Sequence, residues 1–115
     1  MSLTFPKSAR LSRSSEFLRV KTEGKACTGR YLTLGALGGC PDSRIGLITT
    51  KRLGNAVQRN RVRRRLRELA RLSRPEWTPG VWFVAIARSA AVKATFAELQ
   101  TEWNRLAIRA GILKS

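Results

Sequence analysis

The chain has 115 residues, which is the length of a single domain. Its 23 lysines and arginines outnumber its 7 aspartates and glutamates, so the net charge is +16. A surplus of this size destabilises a compact chain by self-repulsion unless a polyanion neutralises it. Nucleic acid is therefore the expected partner, and an anionic membrane surface is the second choice. The absence of histidine excludes histidine-based acid–base catalysis, catalytic triads with histidine and histidine metal sites.

Two cysteines, Cys27 and Cys40, are too few for a zinc site of four thiolates. A disulfide between them is an option, but the pattern favours two reduced thiols in a cytosolic protein. The first ten residues lack the apolar core of a signal peptide. No apolar run approaches the ~18 residues of a membrane span. We therefore expect a cytoplasmic protein with one domain over residues 1–115.

The first predicted elements are a helix and two strands. Ser14 is a candidate N-cap, and Glu16 in the first turn favours the helix dipole, so a helix is predicted over 14–23. Alternation of apolar and polar residues predicts a strand over 30–37, and a second strand follows over 44–50. Glycine, proline and aspartate between the two strands favour a turn, which predicts an antiparallel hairpin.

The second half of the chain adds a long helix, a strand and a last helix. A capping arrangement of Asn and Gln at 55–58 opens a helix over 56–73, which ends before a proline. A continuous apolar run over 81–87 predicts a strand buried on both faces. A capping box at 95–98 opens a last helix that Gly111 ends.

These elements predict an α+β fold with one mixed sheet. A strand, a helix and a strand in succession favour parallel pairing between residues 44–50 and 81–87. The expected architecture is a small sandwich in which three helices pack against the sheet.

Most of the surplus charge lies in the long predicted helix. Residues 51–74 carry ten basic side chains and one acid, Glu68, which is a local charge of +9. At about 100° per residue, Val62, Leu66 and Leu69 form one narrow apolar stripe. The helix is therefore predicted to be buried along one side and positive around the rest.

Such a charged helix has three physical interpretations. A solvated surface helix usually mixes signs at i,i+4, whereas Glu68 can pair with only one or two arginines here. A membrane-surface helix is disfavoured because strands and capped helices flank the segment and build it into a fold. A nucleic-acid face is favoured, and the neutral Asn60 between two arginines is suited to bond a base or sugar edge.

Candidate catalytic groups are few. The seven acids are scattered, and no pair has a spacing typical of a two-metal site. Glu98 is explained by its capping role, and Asp42 lies in a predicted turn, where aspartate is common. We therefore expect no side chain of this protein to break bonds.

Residues 51–68, KRLGNAVQRNRVRRRLRE, closely resemble the signature of the bacterial ribonuclease P protein subunit. That signature is Lys-Lys/Arg-x-Gly-Asn-Ala-Val-x-Arg-Asn-Arg-x-Lys/Arg-Arg-x-x-Arg. Shorter pieces between residues 10 and 110, the length and the charge also fit the family. The matching positions of the signature are Lys51, Arg52, Gly54, Asn55, Ala56, Val57, Arg59, Asn60, Arg61, Arg63, Arg64 and Arg67.

The resemblance implies a role in tRNA maturation. The family's holoenzyme is a large catalytic RNA with one small basic protein, and it removes the 5′ leader from precursor tRNA. Magnesium ions held mainly by the RNA activate the water, so no metal is expected on protein side chains. The implied partners are the catalytic RNA and precursor tRNA, with no membrane and no obligate protein partner. The implied fold is a two-layer α-β sandwich like the second domain of ribosomal protein S5, with a left-handed strand–helix–strand crossover. The general rule for such crossovers predicts the right hand.

The resemblance also implies two binding surfaces. A cleft between the sheet and the first helix takes the single-stranded leader, and Phe17 lines it. Two departures from the family are Lys21, where some members have a second aromatic residue, and Gly35 in place of an aromatic in the first long strand. Leader contacts are therefore expected to rest more on charge, with Lys21 in the cleft, and less on stacking. The arginine-rich helix and its adjoining loop contact the catalytic RNA through Lys51, Arg52, Arg59, Asn60, Arg61, Arg63, Arg64 and Arg67.

Two further hypotheses stay open beside this one. One is a ribosomal or assembly-type RNA-binding protein with no linked cleavage activity, and the other is a self-contained nuclease. A cleavage assay separates them. The ribonuclease P subunit needs the cognate RNA, the ribosomal type never cleaves, and the nuclease cuts alone.

Overall fold

The structure is a computed structural model that describes residues 9–114. The two ends of the expected domain, including most of the segment in which no signal peptide was expected, lie outside the described residues. The predicted α+β class is confirmed, with three helices and a four-stranded mixed sheet. The elements in chain order are α1 (Ser14–Glu23), β1 (Lys25–Thr28), β2 (Leu32–Leu37), β3 (Arg44–Ile48), α2 (Ala56–Ser73), β4 (Trp82–Ala87) and α3 (Phe96–Arg109).

The sheet has the strand order β1-β2-β4-β3. The predicted parallel pair is confirmed, since β3 runs beside β4 from Arg44 opposite Trp82 to Ile48 opposite Ile86. The hand of this crossover stays a prediction.

The predicted hairpin between residues 30–37 and 44–50 is wrong. Strand β4 lies between β2 and β3, and it pairs antiparallel with β2 over the whole length of both. The hairpin partner of β2 is instead β1, a four-residue strand that the sequence analysis missed. Turn residues show where the chain reverses, whereas burial of β4 on both faces decides that β4 occupies the interior of the sheet.

The predicted helix over 14–23 is confirmed as α1, but its N-cap is Arg13 and not Ser14. The Oε1 atom of Glu16 accepts hydrogen bonds from the backbone N–H groups of Ser12 and Arg13, both at 2.9 Å. Ser14 is therefore the first helical residue and not the N-cap. The Glu16 carboxylate holds the backbone just before the helix, and its charge strengthens these two bonds.

The two faces of the sheet carry different helices. Alternate residues of β4 divide between two apolar clusters, so that Phe83 packs in the larger one and Val84 in the smaller. Leu66 of α2 and Trp103 of α3 belong to the larger cluster, whereas Val20 of α1 belongs to the smaller. Helices α2 and α3 therefore form the helical layer of the sandwich, and α1 lies across the opposite face.

Candidate nucleic-acid interface

Helix α2 has the phase that its sequence predicts. Val62, Leu66 and Leu69 are 1%, 0% and 2% exposed, whereas Asn60 and Arg64 on the other side of the helix are exposed. Burial of the apolar stripe against the sheet therefore fixes the rotation of the helix and presents its polar side to solvent.

The first turn of α2 is held by a capping box. The Oδ1 atom of Asn55 accepts a hydrogen bond from the backbone N–H of Gln58 at 2.9 Å, and the Oε1 atom of Gln58 accepts one from Asn55 at 3.0 Å. Gly54, just before the cap, has a φ of 125°, and a Cβ there would collide with the Gln58 side chain. Glycine is required here because L side chains rarely adopt this φ and no space is left for one.

The short turn before this cap, Lys51–Leu53, is a 3-10 helix anchored by one side chain. Leu53 is 5% exposed and belongs to the larger cluster, whereas Lys51 and Arg52 are exposed. The apolar anchor therefore places two cations beside the start of α2.

The arginines of α2 differ in whether their side chains bond to the rest of the fold. Three of them hold neighbouring segments: Arg61 Nη2 donates to the Val92 carbonyl at 3.2 Å, Arg65 Nη1 to the Ala94 carbonyl at 2.7 Å, and Arg63 Nη2 to Thr49 Oγ1 at 2.6 Å. Sequence reasoning missed this role, because the acceptors lie 14 to 31 residues away along the chain.

Five cations of α2 and of the turn before it have no side-chain partner among the described residues. Within residues 9–114, no hydrogen bond or ion pair joins their side chains to another residue. These cations are Lys51, Arg52, Arg59, Arg64 and Arg67, and the neutral Asn60 lies among them.

Glu68 is the one acid of α2, and its charge is taken up within the helix. It forms an i,i+3 ion pair with Arg71. Hydrogen bonds from the Arg71 guanidinium lower the pKa of Glu68. The carboxylate therefore stays ionised at neutral pH and offsets Arg71, which leaves the free cations uncompensated.

A second candidate surface lies on the other face of the sheet. A cleft of about 490 Å³ separates α1 from β1, β2, β3 and β4. Phe17 and Lys21, the two residues placed there by resemblance, both line it. The edge of the Phe17 ring lies against Gly46 of β3, so closely that a Cβ on Gly46 would collide with it. Phe17 therefore packs on the sheet with part of its ring and leaves part open, since it is only half-buried.

The lining of this cleft is mainly apolar. Val20, Ile48, Val84 and Ile86 contribute to it, and Lys21 is its one charged lining residue among those that the structure describes. The floor includes Gly35, where a Cβ would meet no atom closer than 3.6 Å. The glycine therefore leaves open a space that a larger side chain would fill.

The carboxylates of residues 9–114 form no cluster of three or more that could hold a metal ion. Among the described residues, no group of three or more His, Cys, Asp and Glu side chains is placed to hold a metal ion. Glu102 illustrates why, because its carboxylate accepts backbone N–H bonds from Arg30, Tyr31 and Leu32 at 2.6 to 2.7 Å. A magnesium ion bound by protein uses carboxylate oxygens together with water or phosphate, and both carboxylate oxygens of Glu102 are already engaged within the fold.

The role of Glu102 was not found from the sequence. The predicted capping box of α3 is present, with Glu98 bonded to the backbone of Thr95 at 2.9 Å. That contact lowers the pKa of Glu98, and a hydrogen bond from the Tyr31 hydroxyl lowers it further. Glu102, one turn later, instead bonds the β1–β2 turn some 70 residues away, and no local pattern signals such a contact.

The two cysteines are free thiols. Cys27 is buried in β1, and Cys40 lies half-buried beyond the end of β2. Among the helices that the structure describes, none has the length and apolar character to cross a membrane.

Comparison with known proteins gives one consistent result. The family model described as Ribonuclease P matches residues 5–111. A ribonuclease P protein component of Chloroflexus aggregans is 43% identical over 106 residues, covering 90% of this chain and 78% of the relative. One from Gluconacetobacter diazotrophicus is 42% identical over 106 residues, covering 90% of this chain and 91% of the relative.

Solved structures give the same fold. An RNase P protein of Staphylococcus aureus superimposes with a TM-score of 0.84 at 24% identity, covering 94% of this chain and 100% of that one. The RNase P protein of Thermotoga maritima gives 0.77 at 26% identity, covering 87% of this chain and 96% of that one.

Proposed function

This chain belongs to the ribonuclease P protein family, and from that membership we propose how its two surfaces serve the enzyme. Its role is that of the protein cofactor of ribonuclease P in maturation of the tRNA 5′ end. Its partners in that role are the ribonuclease P RNA and precursor tRNA. No observation favours the alternative of a ribosomal-type RNA-binding protein.

The first part of the proposal assigns the exposed side of α2 and the turn before it to the catalytic RNA. The observation that carries it is the set of five cations, Lys51, Arg52, Arg59, Arg64 and Arg67, that have no partner within residues 9–114. Guanidinium groups left free in this way bind phosphate oxygens bidentately and stack on bases. Arg61 and Arg63 each donate one hydrogen bond within the fold, and their other donors are available to RNA.

The second part assigns the cleft beside α1 to the 5′ leader. A single-stranded leader exposes unstacked bases, and an aromatic face with apolar surroundings suits them. Phe17 supplies that face, and the apolar lining from β3 and β4 continues it. Lys21 at the same cleft supplies one charge for a leader phosphate. The sequence predicts that charge contributes more than stacking to the leader contacts. Because the described lining is mainly apolar, Lys21 is the one side chain of this cleft that can supply such a charged contact.

The third part places the chemistry in the RNA. The carboxylates of Glu98 and Glu102 already accept backbone N–H bonds, which supports the proposal that magnesium is held mainly by the catalytic RNA. The protein then acts by binding and orienting the substrate. Such an enzyme works where precursor tRNA is processed, so we place this protein in the cytoplasm.

Reconstitution tests the proposal. The purified protein is mixed with a bacterial ribonuclease P RNA and precursor tRNA at low magnesium, and release of the leader is followed. We expect cleavage by the complete mixture, little cleavage by the RNA alone at this magnesium concentration and none by the protein alone. Cleavage by the protein alone through stringent purification would show a self-contained nuclease. If the protein stimulates cleavage by no bacterial ribonuclease P RNA, the remaining hypothesis is a ribosomal or assembly-type RNA-binding protein.

A further inference from the structure

A second groove lies beside α2, on the face of the sheet away from α1. Its volume is about 510 Å³. One wall is formed by Gln58, Arg61 and Arg65 of α2, and the other by residues 92–96, the segment that leads into α3.

The groove is built by two arginines that bridge its walls. Arg61 donates to the carbonyl of Val92 at 3.2 Å, and Arg65 donates to the carbonyl of Ala94 at 2.7 Å. Lys93 lies between these two acceptors in the chain and is exposed. Each guanidinium carries five donors, so both arginines keep several for another acceptor.

The charge of this groove has one sign. Arg61, Arg65 and Lys93 line it, and none of its described lining residues is an acid. Glu98, which follows within α3, is tied to the backbone of Thr95 and to the Tyr31 hydroxyl. Three cations from two elements around one groove are suited to a polyanion such as a phosphodiester chain.

The position of the groove indicates which of the two RNA partners, the catalytic RNA or precursor tRNA, lies beside it. It is continuous with the exposed side of α2, because Arg61 lies on that side one turn before Arg64. The cleft beside α1 lies across the sheet, in the smaller apolar cluster. A leader strand in that cleft is separated from this groove by the full thickness of the sheet.

We propose that this groove binds the phosphodiester backbone of the catalytic RNA, with Lys93 and the remaining donors of Arg61 and Arg65 as its phosphate contacts. The inference rests on the proposed function and extends it to Lys93 and Arg65, two residues outside the family signature. The RNA-binding surface then spans both α2 and the segment before α3.

The test compares Lys93→Gln with Lys25→Gln in the full-length protein. Lys25 is also exposed and lies in β1, at the sheet edge opposite β3, so both variants lose one positive charge. The measurement is the dissociation constant of the protein with ribonuclease P RNA alone between 50 and 200 mM salt, with thermal melting as a check on folding.

Loss of one phosphate contact lowers the slope of log K against log salt by about 0.7 to 0.9. We therefore expect Lys93→Gln to lower this slope by that amount, with a loss of affinity about threefold larger at 50 than at 200 mM salt. Lys25→Gln should leave the slope unchanged, and neither variant should alter melting.

Three results would overturn the inference. If the two lysine variants behave alike while Arg64→Ala still lowers the slope, the groove does not bind the catalytic RNA, and the proposed function is unaffected. An effect of Lys93→Gln only on the affinity of the holoenzyme for precursor tRNA makes tRNA the occupant. A flat salt response of the unmodified protein rejects both the groove and the proposed role of α2.

Discussion

The guanidinium of Arg65 donates a hydrogen bond of 2.7 Å to the backbone carbonyl of Ala94, which joins the middle of α2 to the segment before α3. Its neighbour Arg64 is exposed and has no such bond within the described chain. Two adjacent arginines in one basic run therefore have different tasks. Arg65 uses one of its donors to join two segments of the fold, whereas all the donors of Arg64 are available to RNA.

This difference predicts a change in stability at one position only. Arg65→Ala removes a charged donor from a part-buried bond and should lower the free energy of unfolding by about 1 kcal/mol. Hydrogen exchange of the Ala91 and Ala94 amides should also accelerate, since their segment loses its tie to α2. Arg64→Ala is the matched control and should change neither quantity. Equal exchange rates in the two variants would show that the bond contributes nothing.

Substitutions of Leu66 and Arg64 in α2 should have different effects. The first should lower folding stability, and the second should weaken RNA binding. Leu66 is 0% exposed, so Leu66→Ala should cost about 2–5 kcal/mol through lost burial and a cavity. Arg64→Ala should leave the melting temperature nearly unchanged and weaken binding to ribonuclease P RNA, most strongly at low salt. Thermal melting and RNA titration of both variants check this. A large loss of stability at Arg64 would show that its side chain supports the fold.

The stability of the fold should depend on the buried carboxylate of Glu102, which lies far from the proposed RNA-binding surface. Its side chain is 6% exposed and accepts three backbone N–H bonds from the β1–β2 turn. Glu102→Gln replaces one acceptor oxygen by an amide donor, which leaves buried N–H groups unsatisfied. We expect a loss of at least about 2 kcal/mol in urea unfolding without RNA.

A surface acid provides the control for this variant. Glu23 is 53% exposed and pairs with Arg19 one turn away, so Glu23→Gln should change stability by about 0.5 kcal/mol or less. Similar losses at Glu23 and Glu102 would mean that the turn does not depend on its carboxylate.

Substitution of Phe17 should reduce the preference of the holoenzyme for precursor tRNA over mature tRNA. Stacking of a base on an aromatic ring is worth about 1–3 kcal/mol. Phe17→Leu keeps apolar bulk against Gly46 and removes the aromatic face, so holoenzyme affinity should fall for precursor tRNA and hold for mature tRNA. The measurement is the ratio of the two dissociation constants.

Packing alone predicts a different result for Phe17. If the ring serves only to anchor α1, Phe17→Ala lowers the melting temperature and weakens both ligands alike, and Phe17→Leu leaves the ratio unchanged. That outcome would remove Phe17 from the leader site, and Lys21→Gln would be the next variant to measure.

Features that the sequence determined by itself depend on residues within one or two turns of each other. The start of α2 follows from the Asn55 and Gln58 cap, its end from the proline that comes after it, and its buried side from the spacing of Val62, Leu66 and Leu69. The free side of α2 follows from the same periodicity, because burial of one stripe exposes the opposite one.

Apart from the parallel pairing of β3 with β4, which the succession of strand, helix and strand predicted, tertiary structure decided the contacts between distant parts of the chain. Strand β4 displaced β3 as the neighbour of β2, Arg65 met Ala94, and Glu102 met the turn before β2. These contacts span 29 residues or more, and no local pattern selects among the many partners that such a loop permits. Side-chain burial over the whole sheet makes that selection, since one slip of pairing would move an entire apolar set to the wrong face.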